Sequence, residues 1–131
     1  MAGRTARGQA LVESAIALGA LVVVALALAQ LAIYVHAEQV VIGACQDGAR
    51  AASADGATLD EGTATARALL QAGLGPSAGA VTLDAVADSR GVEMTARGEL
   101  PMVLPWLGNP ALPLHARVTL AKEGFRAGPG R

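Results

Sequence analysis

Between Glu13 and Glu38 the chain carries no Asp, Glu, Lys or Arg, an interval of 24 residues. Within it, Ser14 to Val35 is apolar almost throughout. As α-helix these 22 residues extend about 33 Å, enough to cross the hydrocarbon core of a bilayer. A helix apolar on every side needs either a large core or lipid around it. This chain of 131 residues is hydrophobic at 53% but aromatic at only 2%. Its apolar content is mostly Ala, Leu and Val gathered near the N-terminus, so little remains for a large soluble core. The run is therefore expected to be a single transmembrane span. Arg4 and Arg7 precede it and no Lys or Arg follows until Arg50. That asymmetry predicts a cytoplasmic N-terminus and an extracytoplasmic C-terminal part. Gln30, Tyr34 and His36 are expected to mark the far interface, with Val35 the last residue of the span.

Taken in order, Met1 to Gly8 reads as a short basic leader with no structure of its own. Gln9 to about Ser53 reads as one helix, transmembrane over 14–35 and a stalk over 36–53. On the stalk, Val41, Ala44, Gly48 and Ala52 recur at helical spacing. Three of them form a small-residue stripe that permits close backbone approach. That face either receives the chain's own domain or packs against another subunit. Asp55-Gly56 ends the helix. Thr58 and Glu61 have capping-box spacing, predicting a second helix to about Ala72, closed by Gly73, with Leu59, Ala66, Leu69 and Leu70 inward. Gly75-Pro76-Ser77 reads as a linker.

The pattern then changes to period two. Val81, Leu83, Ala85 and Ala87 form one alternating set, and Val92, Met94 and Ala96 a second after the turn Asp88-Ser89-Arg90-Gly91. Leu114, Ala116, Val118 and Leu120 form a third. The fold class is accordingly α+β: a long helix, a short helix and a small three-stranded antiparallel sheet with one apolar face. The outer domain spans 54–126, followed by a disordered tail over 127–131. Between the second and third strands, four prolines from Pro101 to Pro113 exclude helix and central strand. This apolar connection, which holds the sole Trp, Trp106, either lids the sheet or contacts a neighbouring subunit or the membrane surface.

The sequence argues against an enzyme. His36 and His115 each lack a second ligand at metal-binding spacing, and no nucleophile elbow, Walker loop or dinucleotide fingerprint is present. No cofactor, metal or small-molecule substrate is expected. The net charge of −1 leaves no footprint for nucleic acid. Cys45 reads as a small buried hydrophobe, with pairing between subunits as the alternative for a lone cysteine.

One residue is unexplained by a simple anchor. Glu13 stands at the mouth of the apolar run, where a carboxylate costs a few kcal/mol, on the order of insertion-scale values, unless a partner neutralises it. A secretory signal peptide is one alternative: Arg4 and Arg7 would form the n-region, Ala15 to Leu26 the h-region, and Ala27-Leu28-Ala29 a cleavage site before Gln30. It gives no role to Glu13. The stretch Arg7-Gly8-Gln9-Ala10-Leu11-Val12-Glu13 resembles the processing site of type IV pilin-like precursors. Together with Gly48-Ala49-Arg50-Ala51-Ala52 at the end of the stalk and the strand–proline loop–strand pattern of Val92 to Glu123, it is similar to the TadE-like family of tight-adherence (Flp) pilus systems.

That resemblance implies a minor pilin or pseudopilin, cut by a prepilin peptidase after Gly8. Gln9 would become the first residue and Glu13 the acidic fifth residue used in assembly. It implies the peptidase, other pilins and the assembly platform as partners, and a Gly-Ala-Arg-Ala-Ala-type segment closing the stalk; with the spacing of Ala44, Gly48 and Ala52, this makes Ala44, Gly48, Ala49, Arg50 and Ala52 the expected stalk-packing residues. Ser14 departs from the aromatic or large aliphatic residue common after the glutamate. Gly19 stands where many members carry a helix-kinking proline. A membrane-anchored or secreted binding module unrelated to pili is the alternative function.

Overall fold

The computed structural model describes residues 2–103, 108 and 110–121. Helix α1 spans Ala2–Ser53 without interruption. The leader segment from Ala2 to Gly8 is thus helical, where no structure was expected. It holds no proline, and adding turns to an existing helix avoids the cost of a new nucleus. Gly19 sits in regular helix, and no residue breaks α1 before Ser53.

The turn after α1 uses Gly56 at φ 78°, a left-handed conformation open to glycine. Helix α2 spans Leu59–Leu74. Thr58 Oγ1 accepts the Glu61 N–H at 3.2 Å, while the Glu61 carboxylate accepts the Thr58 N–H at 2.9 Å. The capping box is therefore complete, two orphan donors being answered reciprocally. The helix ends at Gly75, φ 55°, two residues beyond the expected Gly73. A 3-10 helix over Gly75–Ala80 replaces the expected linker.

Strands β1 (Val81–Ala87), β2 (Gly91–Pro101) and β3 (Ala111–Ala121) form an antiparallel meander in the order β1-β2-β3. The β1–β2 turn is tied by Asp88, whose Oδ1 accepts the N–H groups of Arg90 and Gly91. Register runs from Val81 opposite Gly98 to Ala87 opposite Val92, and from Gly91 opposite Ala121 to Pro101 opposite Ala111. Of the prolines expected to exclude helix and central strand, Pro101 is the last residue of the central strand β2, and Pro113, expected in the connecting loop, lies inside β3. Strand β3 is an edge, where a missing N–H is tolerated because one side of the strand has no partner.

The apolar sheet face covers the upper part of α1. Met94, Ala96, Leu114 and Ala116 meet Val41, Cys45 and Ala49 from α1 and Ala66 and Leu70 from α2 in one core. Leu69, expected inward, is exposed, and Leu59 is only half-buried. Gly62 takes the inward position instead, because α1 and α2 approach too closely there for a larger side chain.

Candidate functional site

From Arg7 to Ala29 every residue of α1 is exposed, including Leu11, Val12, Ile16, Leu21 and Leu28. This part of the helix is longer than a bilayer's hydrocarbon core, at about 35 Å by helical rise. It is the one helix among the described residues long and apolar enough to cross a membrane. Gly8, Gln9, Glu13, Ser14 and Gly19 all lie on this bare segment. A Cβ placed on Gly8 or Gly19 would meet nothing within 4 Å. Gln9 and Glu13 are four residues apart and share a helix face, separated by about 6 Å of rise. The lower helix thus presents an apolar surface on all sides with a single carboxylate near its foot.

The domain begins to touch α1 at Gln30. This side chain is only 5% exposed, and its Oε1 accepts the N–H of Val103 at 2.8 Å. Its Nε2 is buried without a partner among the described residues. One turn further, the Tyr34 hydroxyl donates to the carbonyl of Pro113 at 3.2 Å. Gln30 and Tyr34 are therefore brackets between helix and sheet as well as candidate interface residues. Nothing local in the sequence signals these contacts, since they join positions 73 and 79 residues apart. Val35, on α1 beside them, remains 46% exposed.

On the stalk, Ala44, Gly48, Ala49 and Ala52 are all buried. The stripe is filled by the chain's own α2 and sheet: around Gly48 lie Met94, Ala66 and Gly62. Arg50 differs from its neighbours, standing in solvent and pairing with Asp47 at 3.0 Å. Such an exposed i, i+3 pair contributes about 0–1 kcal/mol. Cys45 has no exposed surface, and burial pushes its thiol pKa up. The thiolate, the reactive form, is disfavoured, and a disulfide between subunits would require this core to open. Trp106 and the tail from 127 onward lie outside the described residues.

No curated protein and no solved structure matches the chain. Residues 8–50 match the family model described as TadE-like protein. The matched segment runs from the glycine at the foot of the bare helix to the arginine in the last turn of α1, and so takes in both the membrane-length surface and most of the stalk that the domain packs on. Over that segment, 43 of its 131 residues, the chain is similar to the TadE-like protein family.

Proposed function

We propose that the chain is a minor pilin-like subunit of a Flp, or tight-adherence, type IV pilus. It is held in the cytoplasmic membrane by α1, with its N-terminus in the cytoplasm and its domain outside. A prepilin peptidase cuts after Gly8. The subunit then joins the pilus through the exposed surface of the lower helix, with the assembly platform and other pilins as partners. One observation carries this reading: the family-matched helix leaves residues 7–29 wholly unpacked by the chain's own domain. A surface of that length and character must be covered by lipid or by other helices.

Gly8 suits a cleavage position for two physical reasons. It is exposed and nothing lies within 4 Å of where its Cβ would stand, so a peptidase can approach the helix on that side. Glycine also weakens the helix there by about 0.5–1 kcal/mol relative to alanine, which eases the local unwinding that peptide hydrolysis requires. N-terminal sequencing of the mature protein tests the reading directly, and Gln9 is the expected first residue. Replacing Gly8 with a bulky residue is expected to leave the precursor uncut.

A second reading has one observation in its favour. Because the domain packs on α1 only from Gln30 upward, a signal peptidase cut after Ala29 would leave every helix–domain contact in place. A mature chain beginning at Gln30 would establish that secreted form and remove the pilin reading.

A further inference from the structure

Both outer strands of the sheet, β1 and β3, have a side with no strand beside it among the described residues. The ladder shows which backbone groups face that side. In antiparallel pairs, hydrogen-bonded and non-hydrogen-bonded positions alternate. Asp88 N–H donates to the Gly91 carbonyl, so in the β1–β2 register the groups of Thr82, Asp84 and Val86 also face β2. Those of Val81, Leu83, Ala85 and Ala87 turn outward. Met102 N–H donates to the Pro110 carbonyl, which by the same alternation turns Pro113, His115, Arg117, Thr119 and Ala121 outward from β3. Two contacts agree with this parity. Val81 N–H donates to the Ala78 carbonyl, and the Pro113 carbonyl accepts from Tyr34.

We propose that these two edges fit each other: β1 of one copy and β3 of a second copy join as parallel strands at equal height, making one sheet across two subunits. The inference rests on the membrane-span reading of α1, which stands neighbouring copies the same way up, and does not require the pilin reading. Because β1 and β3 both run antiparallel to β2, copies standing the same way up meet with their edges parallel.

Three observations carry it. First, the outward-turned residues of β1 place their side chains on the apolar face of the sheet, and those of β3 on the polar face. An antiparallel junction sets such residues opposite one another, so the apolar face of one copy would run into the polar face of the next. A parallel junction offsets them by one residue and keeps both faces continuous. Second, the free groups match. Through the two registers Val81 stands level with Leu114, and Asp84 with Arg117. At that height the N–H groups of Leu83, Ala85 and Ala87 donate to the carbonyls of His115, Arg117 and Thr119. The carbonyls of Val81, Leu83, Ala85 and Ala87 accept from the next outward N–H along β3. The one position left over sets Val81 N–H against the Pro113 carbonyl, and both are already satisfied within their own copy.

Third, the side chains agree. Equal height sets Asp84 opposite Arg117 on the polar face, an opposite-charge pair of the kind that stabilises neighbouring strands. Arg117 is held only at 3.6 Å by Glu93, and a guanidinium has donors for two carboxylates. On the apolar face, Leu83 and Ala85 at one rim and Val118 and Leu120 at the other are half-buried, while Met94 and Ala96 between them are fully buried. Helices α1 and α2 thus leave both rims uncovered, and the junction closes them. Two β1 edges paired over their full length would instead bring Asp84 against Asp84, which is unfavourable. Sheet twist of about 20–25° per strand turns the second copy by roughly 60–75° over three steps. Two spanning helices share that as about 30–40° of tilt each, within the transmembrane range, so the junction makes pairs.

The test uses the full chain carrying Cys45→Ala, reconstituted in phosphatidylcholine vesicles and mildly oxidised, with Val86→Cys and Thr119→Cys together. These positions are opposite in the equal-height register and within disulfide reach across adjacent strands. Inside one copy β2 separates them by two strand spacings, about 10 Å, which is beyond that reach. A cross-linked dimer is expected on a non-reducing gel. Its yield should be several-fold that of either single-cysteine variant, or of Val86→Cys with His115→Cys, which is out of register. Equal yields from any of these controls would overturn the junction. So would absence of the dimer from a chain that carbonate fails to extract from the vesicles. Asp84→Lys, a change at an exposed residue, is expected to lower the dimer yield several-fold by facing Arg117, and an unchanged yield would overturn the register. Extraction by carbonate would overturn the span, and the parallel junction with it.

Discussion

Gly48 and Gly62 face each other where α1 and α2 come closest. A Cβ on Gly48 would stand 2.6 Å from Met94 Sδ and 2.8 Å from both Ala66 Cβ and the Gly62 carbonyl oxygen. A Cβ on Gly62 would stand 2.5 Å from Ala52 Cβ. The two glycines are there for close approach, in ordinary helical backbone, and they cost the helices propensity in return. Gly48→Ala is therefore expected to lower stability by about 1–3 kcal/mol through overpacking, even though alanine favours helix. Gly43 is the control on the same helix. Nothing lies within 4 Å of its virtual Cβ, so Gly43→Ala should be neutral or should stabilise by up to about 1 kcal/mol. Thermal unfolding in detergent, followed by circular dichroism, should separate the pair: a fall in midpoint for Gly48→Ala and none for Gly43→Ala. Equal behaviour of the two would mean that the helix crossing relaxes easily. The small-residue stripe was visible in the sequence. That its occupant is α2 was not, because the same stripe serves an intrachain and an intersubunit contact equally well.

At the scale of elements, local chemistry sets most starts and stops. The reciprocal Thr58–Glu61 cap and the Asp88 turn form within a few residues of chain, so both were readable from spacing. Thr58→Ala should cost about 1 kcal/mol. Amide hydrogen exchange is the suitable measurement, and the first turn of α2 should lose protection before Ala66 and Leu70, which are buried in the core. Uniform loss across α2 would show that the cap does not act locally. The elements that departed from expectation are those whose limits depend on distant neighbours. Pro113 lies in strand because β3 is an edge paired with β2 alone. Leu69 points outward because the close α1–α2 approach selects Gly62, Ala66 and Leu70 as the buried line.

Among the described residues, the packed domain touches only the upper part of α1, and the lower part stands bare. This division makes Glu13 the lone charge on an exposed apolar surface between Arg7 and Glu38. In an assembled pilus, an amine exposed at Gln9 by cleavage could lie level with the Glu13 of a staggered neighbour. In a low-dielectric bundle such a pair attracts strongly and fixes axial register. Glu13→Val makes the helix more apolar, so insertion and cleavage should persist while incorporation into sheared pilus material is lost. Wild-type incorporation of this variant would exclude the carboxylate as the docking group. The membrane-length helix, the α+β class and the family resemblance were all present in the sequence alone, because hydropathy, helix caps and strand alternation are written within windows of a few to about twenty residues. Tertiary structure alone decided which face of the stalk the domain occupies, and that Gln30 and Tyr34 hold the β2–β3 hairpin at the foot of that domain. Those contacts close loops of more than seventy residues, and no local pattern records which distant backbone group will answer a side chain.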